Sequence, residues 1–257
     1  LGDGILYRLV VRTPDGKSYQ VYSMLNYYDR LLLGHYPSGC LFGYDGEQVQ
    51  PRESWPPCLP GVATYSREAQ AMALYRGDLY ATVWPWAELW RYDRQAAQWT
   101  AVGRMFTQPP VTAAIGHPFE AEINAYNAAH GTKNVMNDWG QRATSLAAVG
   151  DALYVGTSNK GGSARPPDYT FIRDEALAEY GLVHRLRLPG HITGQVRWTD
   201  GPTRLQFVVA DGQMRLLQDG RELAAGPTEP ATAAGLAATT ITRGKGMFGP
   251  LAGTLLP

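Results

Sequence analysis

The chain has 257 residues, with 23 Lys plus Arg set against 23 Asp plus Glu, so its formal net charge is zero. That balance leaves no electrostatic footprint for nucleic acid or an anionic membrane surface. No run of about 18 apolar residues occurs, which excludes a transmembrane helix by sequence, and a 44% apolar, 18% charged composition is that of a globular chain.

The 15 Tyr, 29 Gly and 18 Pro favour pleated strands punctuated by turns, and the class expected is all-β. Gly4 to Val11 reads as a strand, Thr13-Pro14-Asp15-Gly16-Lys17 as a hairpin turn, and Tyr19 to Tyr22 as the returning strand. A unit of strand, turn and strand follows from about Ser23 to Pro51, containing Leu31-Leu32-Leu33-Gly34 and Leu41-Phe42-Gly43-Tyr44-Asp45. A Pro-rich connection, Trp55 to Pro60, leads to a third unit whose strands are Ala71–Tyr75, Asp78–Val83, Leu89–Asp93 and Trp99–Val102. A fourth unit begins at Ser145 and is interrupted by an insertion over Asn159–Glu179. Another insertion, Thr107–Arg142, precedes it, and Phe119 to Ala129 is expected to be a short helix.

The third unit resembles a kelch repeat. Gly77-Asp78-Leu79-Tyr80 leads into Leu89-Trp90-Arg91-Tyr92-Asp93, then Trp99 and a terminal Met105. The usual Gly-Gly of the second strand is Ala81-Thr82 here, against a single Gly34 in the second unit and Gly156-Thr157 in the fourth. The resemblance implies a β-propeller of four-stranded antiparallel blades over residues 1–190, with Trp90, Tyr92 and Trp99 packing between blades. The first unit lacks an opening strand, so the chain reads as part of a larger ring, with further blades or domains in a longer chain. Residues 191–257 are expected to be a C-terminal β meander, Gln195–Trp198, Arg204–Val209 and Gln213–Gln218, followed by a linker over Ala224–Thr240 and a last short strand near Phe248 and Leu251.

Function is less legible, because propellers host binding modules and enzymes alike. His117, Glu120, Glu122, His130 and Asp138 lie within one insertion. Two imidazoles, His117 and His130, offer ligands for a divalent metal, although no recognised ligand spacing is present and no other cofactor is indicated. Glu120, Glu122, Asp138 and Arg142 are the catalytic candidates if the protein is a glycoside hydrolase or lyase. Trp84, Trp86, Asn134, Trp139, Arg142, Asn159 and Lys160 combine aromatic faces with planar polar groups, the chemistry of a sugar site. Burial of Trp84 and Trp86 under a neighbouring loop is the competing reading. His35 and His184 are expected to be structural. No sialidase box, nucleophile elbow or phosphate loop occurs.

The leading expectation is therefore a non-catalytic module that binds carbohydrate or protein. The alternatives are a carbohydrate-active enzyme and a structural domain of a larger secreted protein. Cys40 and Cys58 could close one bridge in an oxidising extracellular or periplasmic setting, or remain two buried thiols.

Overall fold

The computed structural model describes residues 8–64, 66–94, 96–111, 116–134, 136–160, 165–188 and 192–228, with the pairs 245–246 and 249–250. The chain forms two compact units, one of residues 1–147 and 154–184, the other of residues 148–153 and 185–257. Among the described residues no helix is long and apolar enough to cross a membrane.

The larger unit opens with a four-stranded antiparallel meander, β1 (Gln20–Tyr27), β2 (Arg30–Tyr36), β3 (Leu41–Tyr44) and β4 (Val49–Arg52). A second meander follows, β5 (Glu68–Tyr75), β6 (Asp78–Trp84), β7 (Glu88–Asp93) and β8 (Gln98–Arg104). Helix α1 (Glu120–His130) and a 3-10 turn over Met136–Trp139 lead to β9 (Arg142–Val149) and β10 (Ala152–Ser158). The short helix α2 (Asp174–Leu177) precedes β11 (Val183–Leu186), and the order β11-β10-β9 makes a three-stranded sheet.

The first two sheets repeat one design residue by residue. Val21 pairs with His35 and Ser23 with Gly34, leaving Tyr22 as the extra residue of a bulge. Ala69 pairs with Val83 and Ala71 with Thr82, leaving Gln70 in the same place. A parallel bridge joins Ser38 to Arg67, and its counterpart joins Trp86 to Gln141. These bridges tie the end of one second strand to the start of the next sheet's first strand. The third sheet keeps the same grammar, because Gly156 lies against the Ser145 hydroxyl as Gly34 lies against that of Ser23. Gly34, Thr82 and Gly156 are thus one repeat position, and Val21, Ala69 and Ala143 another.

That alignment explains the departure from the Gly-Gly pattern. A side chain at Gly34 would run into the backbone carbonyl of Ala69 on the next sheet. Thr82 meets the same constraint differently. Its hydroxyl donates to the Ala143 carbonyl at 2.6 Å and accepts from the Ala71 N–H at 3.1 Å. At Thr82 the approaching carbonyl stands far enough off to admit a Cβ, and the hydroxyl beyond it spans the gap as a hydrogen bond.

Between the first two sheets lies a core of Tyr27, Leu32, Leu41, Ala69, Leu79 and Tyr92, with Trp55, Met72 and Trp99 packed against it. Each large apolar side chain buried there contributes about 1.5–3 kcal/mol. Trp55 stands 4.3 Å from Tyr92 and 5.5 Å from Trp99, ring centre to ring centre. The inter-sheet role expected of Tyr92 and Trp99 is the one they have.

The smaller unit contains β12 (Leu205–Ala210), β13 (Gln213–Gln218) and β14 (Arg221–Pro227), an antiparallel meander. A two-stranded pair, β15 (Lys245–Gly246) and β16 (Gly249–Pro250), follows. The two meander turns are Asp211-Gly212 and Asp219-Gly220, each with positive φ at both residues, as a tight hairpin requires.

The architecture is mostly β, with four antiparallel sheets of three or four strands and two short helices. Closure of the sheets into a ring is not observed among the described residues. Arg8–Val11 is not in a strand, and residues 1–7 lie outside the described set. The third strand of the meander is β14 rather than Gln195–Trp198, because the tight Asp219-Gly220 turn sends the chain straight back into pairing. The expected strand at Phe248 and Leu251 falls on residues outside the described set, as does most of the expected linker. Its opening residues, Ala224 to Pro227, belong to β14.

Candidate functional site

The insertion before β9 and the one after β10 share a small core, in which Phe119, Ile123 and Trp139 of the first and Tyr169, Ile172 and Ala176 of the second are buried. Helix α1 begins after Phe119, a residue with φ of 60°, and ends at Gly131, whose left-handed conformation stops it. Glu120 at its start accepts hydrogen bonds from the backbone N–H groups of Gly116 and His117, at 2.5 and 3.1 Å. This carboxylate orders the entry loop. Glu122 and Asp138 are exposed. The three insertion carboxylates therefore have separate surroundings rather than a shared one. His117 packs edge-on to Trp84 at 4.7 Å, while His130 stacks on Tyr126 at the far end of the helix. The two imidazoles lie at opposite ends of an eleven-residue helix that is roughly 16 Å long. Among the described residues no three His, Cys, Asp or Glu side chains group as a metal site would require.

The tryptophans are buried, Trp84 at 1%, Trp86 at 0% and Trp139 at 6% exposure. An open stacking platform on these rings is thus corrected by the fold, which uses them as packing. Asn134 and Lys160 are exposed, and Asn134 is tied to Asn127 and Thr132. Asn159 is half-buried beside Lys160 at the end of β10.

Of the residues singled out by sequence, Arg142 sits at the centre of a built polar constellation, with Trp84 and His117 beside it. Its guanidinium donates to Glu68 at 2.5 Å and lies over the Trp84 ring at 4.9 Å. Glu68 also accepts from the Gln70 amide at 2.9 Å. The Tyr22 phenol faces both Glu68 and Arg142, and burial together with the Glu68 charge pushes its pKa up to about 12. The first strands of three consecutive sheets converge here, Tyr22 from β1, Glu68 and Gln70 from β5, and Arg142 from β9. Tyr22 and Gln70 are the two bulge residues, and a bulge re-aims a side chain that regular pleating would send elsewhere.

Around this ion pair the exposure is graded. Glu68, Gln70 and Arg142 are buried, Tyr36 and His117 are half-buried, and Tyr22 is 38% exposed. Tyr36 stands 5.4 Å from the more exposed Tyr19 and 6.5 Å from Trp84. Burial lowers the His117 pKa below the ordinary imidazole value. The buried Gln70 carbonyl oxygen has no hydrogen-bond partner among the described residues. The arrangement offers aromatic faces, a phenol, an imidazole and an unspent acceptor around a neutralised charge pair.

A second buried carboxylate, Glu88, is likewise neutralised. It accepts from Arg67 at 2.9 Å and from the Trp90 indole at 2.7 Å, and burial holds its pKa up. Arg104 donates to the Gln141 side chain at 2.8 Å and lies over Trp86, its pKa lowered to about 10 by burial. Away from these groups, a cavity of about 320 Å³ on the outer strands of the first sheet is lined by Arg30, Asp45, Gln50, Arg52, Glu53 and Trp55. Both charge signs meet there, and Asp29 already engages Arg30.

Sequence reasoning passed over Tyr22, Glu68 and Gln70 because each sits in a short strand opening. The available signal was the alignment of Gln20, Glu68 and Arg142 at one repeat position, which places opposite charges at the same point of successive first strands. In comparisons with protein-family models, curated proteins and solved structures, nothing matches this chain.

Proposed function

We propose that this protein is a non-catalytic binding module of β-propeller type, and that its ligand is a carbohydrate held at the Tyr22 constellation. The observation that carries the reading is the half-exposed Tyr22 set over the buried Glu68–Arg142 pair. The propeller reading draws support from the residue-by-residue repeat of the sheets and from the stacking of β1 and β2 against β5.

Sugars are bound by aromatic faces that take C–H surface and by fixed polar groups that take hydroxyls. Tyr19, Tyr22 and Tyr36 supply the faces. The Tyr22 phenol, the His117 imidazole and the Gln70 carbonyl supply directional partners. Glu68 and Glu88 are each spent on an arginine, which argues for recognition rather than acid–base chemistry, since glycoside cleavage needs a pair of carboxyls free to act on the substrate.

The test is a glycan array followed by calorimetry on the wild type and on Tyr22→Phe and Tyr36→Ala. The reading expects at least one glycan class to bind, with Tyr22→Phe weakening it about tenfold through loss of one hydroxyl partner. Absence of any glycan signal, or binding that ignores both substitutions, sinks it.

A further inference from the structure

The repeat register exposes an asymmetry. Leu41 of β3 and Leu89 of β7 are fully buried, at 0% and 1% exposure. Their counterpart in the third sheet is Val183. Leu182 bonds Thr157 as Cys40 bonds His35, which puts Val183 one residue on, where Leu41 stands. Val183 is 69% exposed. The same holds along the strands. Leu32 and Tyr80 are buried while their counterpart Tyr154 is half-buried, and Ala73 is buried while Ala147 is exposed.

The reason is sheet stacking. The faces of the first and second sheets are each covered by the first strand of the sheet that follows. At Gly34 the Ala69 carbonyl arrives, and at Thr82 the Ala143 carbonyl arrives. At Gly156 the only close neighbour of a built side chain, among the described residues, is Ser145 of its own sheet. The position that elsewhere receives a carbonyl is a glycine again, and no carbonyl of the described residues reaches it.

The chain also carries the matching half. In β5 the residues turned to the preceding sheet include Ala69 and Met72, both packed into the shared core. Their counterparts in β1 are Val21 and Met24, which are 41% and 69% exposed. Among the described residues, an uncovered strand back and an uncovered sheet front, in the register already used twice within the chain, sit on one molecule.

We propose that the front of the third sheet, formed by Ala147, Tyr154, Gly156 and Val183, is the docking surface for β1 of a second copy of this chain. Val21 and Met24 of that copy take the places that Ala69 and Met72 take against the first sheet, and the Val21 carbonyl meets Gly156. The contact is head-to-tail, so each copy uses its two faces for different neighbours. The proposal does not depend on the carbohydrate reading, because Tyr22 and its partners are not part of either face.

Sedimentation velocity from micromolar to near-millimolar concentration tests this, with Met24→Glu and Val183→Glu as variants. Both side chains are solvent-exposed, so the fold should survive, and circular dichroism with thermal melting verifies that. The wild type is expected to associate with concentration, and each variant alone to weaken association at least about tenfold. A one-to-one mixture of the variants retains one intact pair of faces and should recover a heterodimer. A wild type that stays monomeric throughout overturns the proposal and leaves the face to a different chain. Association that survives both substitutions, or variants that fail to complement each other, overturns it as well.

Discussion

Glu68 and Arg142 occupy the same position on consecutive first strands, and they are the two halves of a buried ion pair, 2.5 Å apart. A repeat that places opposite charges at equivalent points ties its neighbouring sheets together at the strand openings. Removing one partner leaves the other charged, desolvated and without a counter-ion, whereas removing both removes the problem. Arg142→Met is therefore expected to cost about 3–5 kcal/mol, and the double variant Glu68→Gln/Arg142→Met markedly less than the sum of the singles. Urea unfolding of the four proteins of the cycle measures this. Additive losses would show that the pair is not coupled.

The Gly34 and Thr82 pair of solutions makes a prediction of opposite kinds. Gly34→Ala pushes a methyl into the Ala69 carbonyl and is expected to cost about 1–3 kcal/mol by overpacking. Thr82→Val keeps the shape but strips the Ala143 carbonyl and the Ala71 N–H of their partner, for about 1–3 kcal/mol. Denaturation midpoints decide both. A Gly34→Ala protein as stable as wild type would mean that the two sheets can separate without penalty.

His35 and His117 set a pH dependence. Burial lowers the pKa of both below the ordinary imidazole value. The unfolded chain then binds more protons than the folded one just below about pH 6.5, so stability rises with pH through that window and falls on acidification. Unfolding free energy measured between about pH 5 and 7 should slope upward, and His35→Gln/His117→Gln should flatten most of that slope. A slope of equal size in the double variant would place the titration elsewhere.

Cys40 and Cys58 are both free thiols, and burial pushes the Cys58 thiol up. The thiolate is the reactive form. Cys58 should therefore react with a disulfide reagent at mildly alkaline pH much more slowly than it does after denaturation, by at least about tenfold. Mass spectrometry of the labelled peptides resolves the two sites, and equal rates in folded and unfolded chain would contradict the burial.

Much of the fold was readable before any coordinates. The second meander, β5 to β8, follows from the spacing of Leu79-Tyr80, Leu89-Trp90 and Trp99 around tight turns, because local alternation and turn chemistry act over a few residues. Helix α1 and the pairing of β12 with β13, expected as Arg204–Val209 and Gln213–Gln218, were readable for the same reason. The site was less so. Arg142 stood out as a polar group near a strand end, but its partner Glu68 is 74 residues away. The Trp84-Pro85-Trp86 turn reads equally well as a platform or as packing, and only the neighbouring sheet and His117 decide for packing.

What the amino-acid order determined by itself is the repeating strand grammar, since alternation, β-branched and aromatic residues, and positive-φ turns are local preferences. What tertiary structure decided is which residues of that grammar meet. The bulges at Tyr22 and Gln70, the approach of the Ala69 and Ala143 carbonyls, and the neutralisation of Glu68 by Arg142 depend on one sheet lying against the next. That arrangement is set by burial across long sequence separations, which no short window of sequence contains.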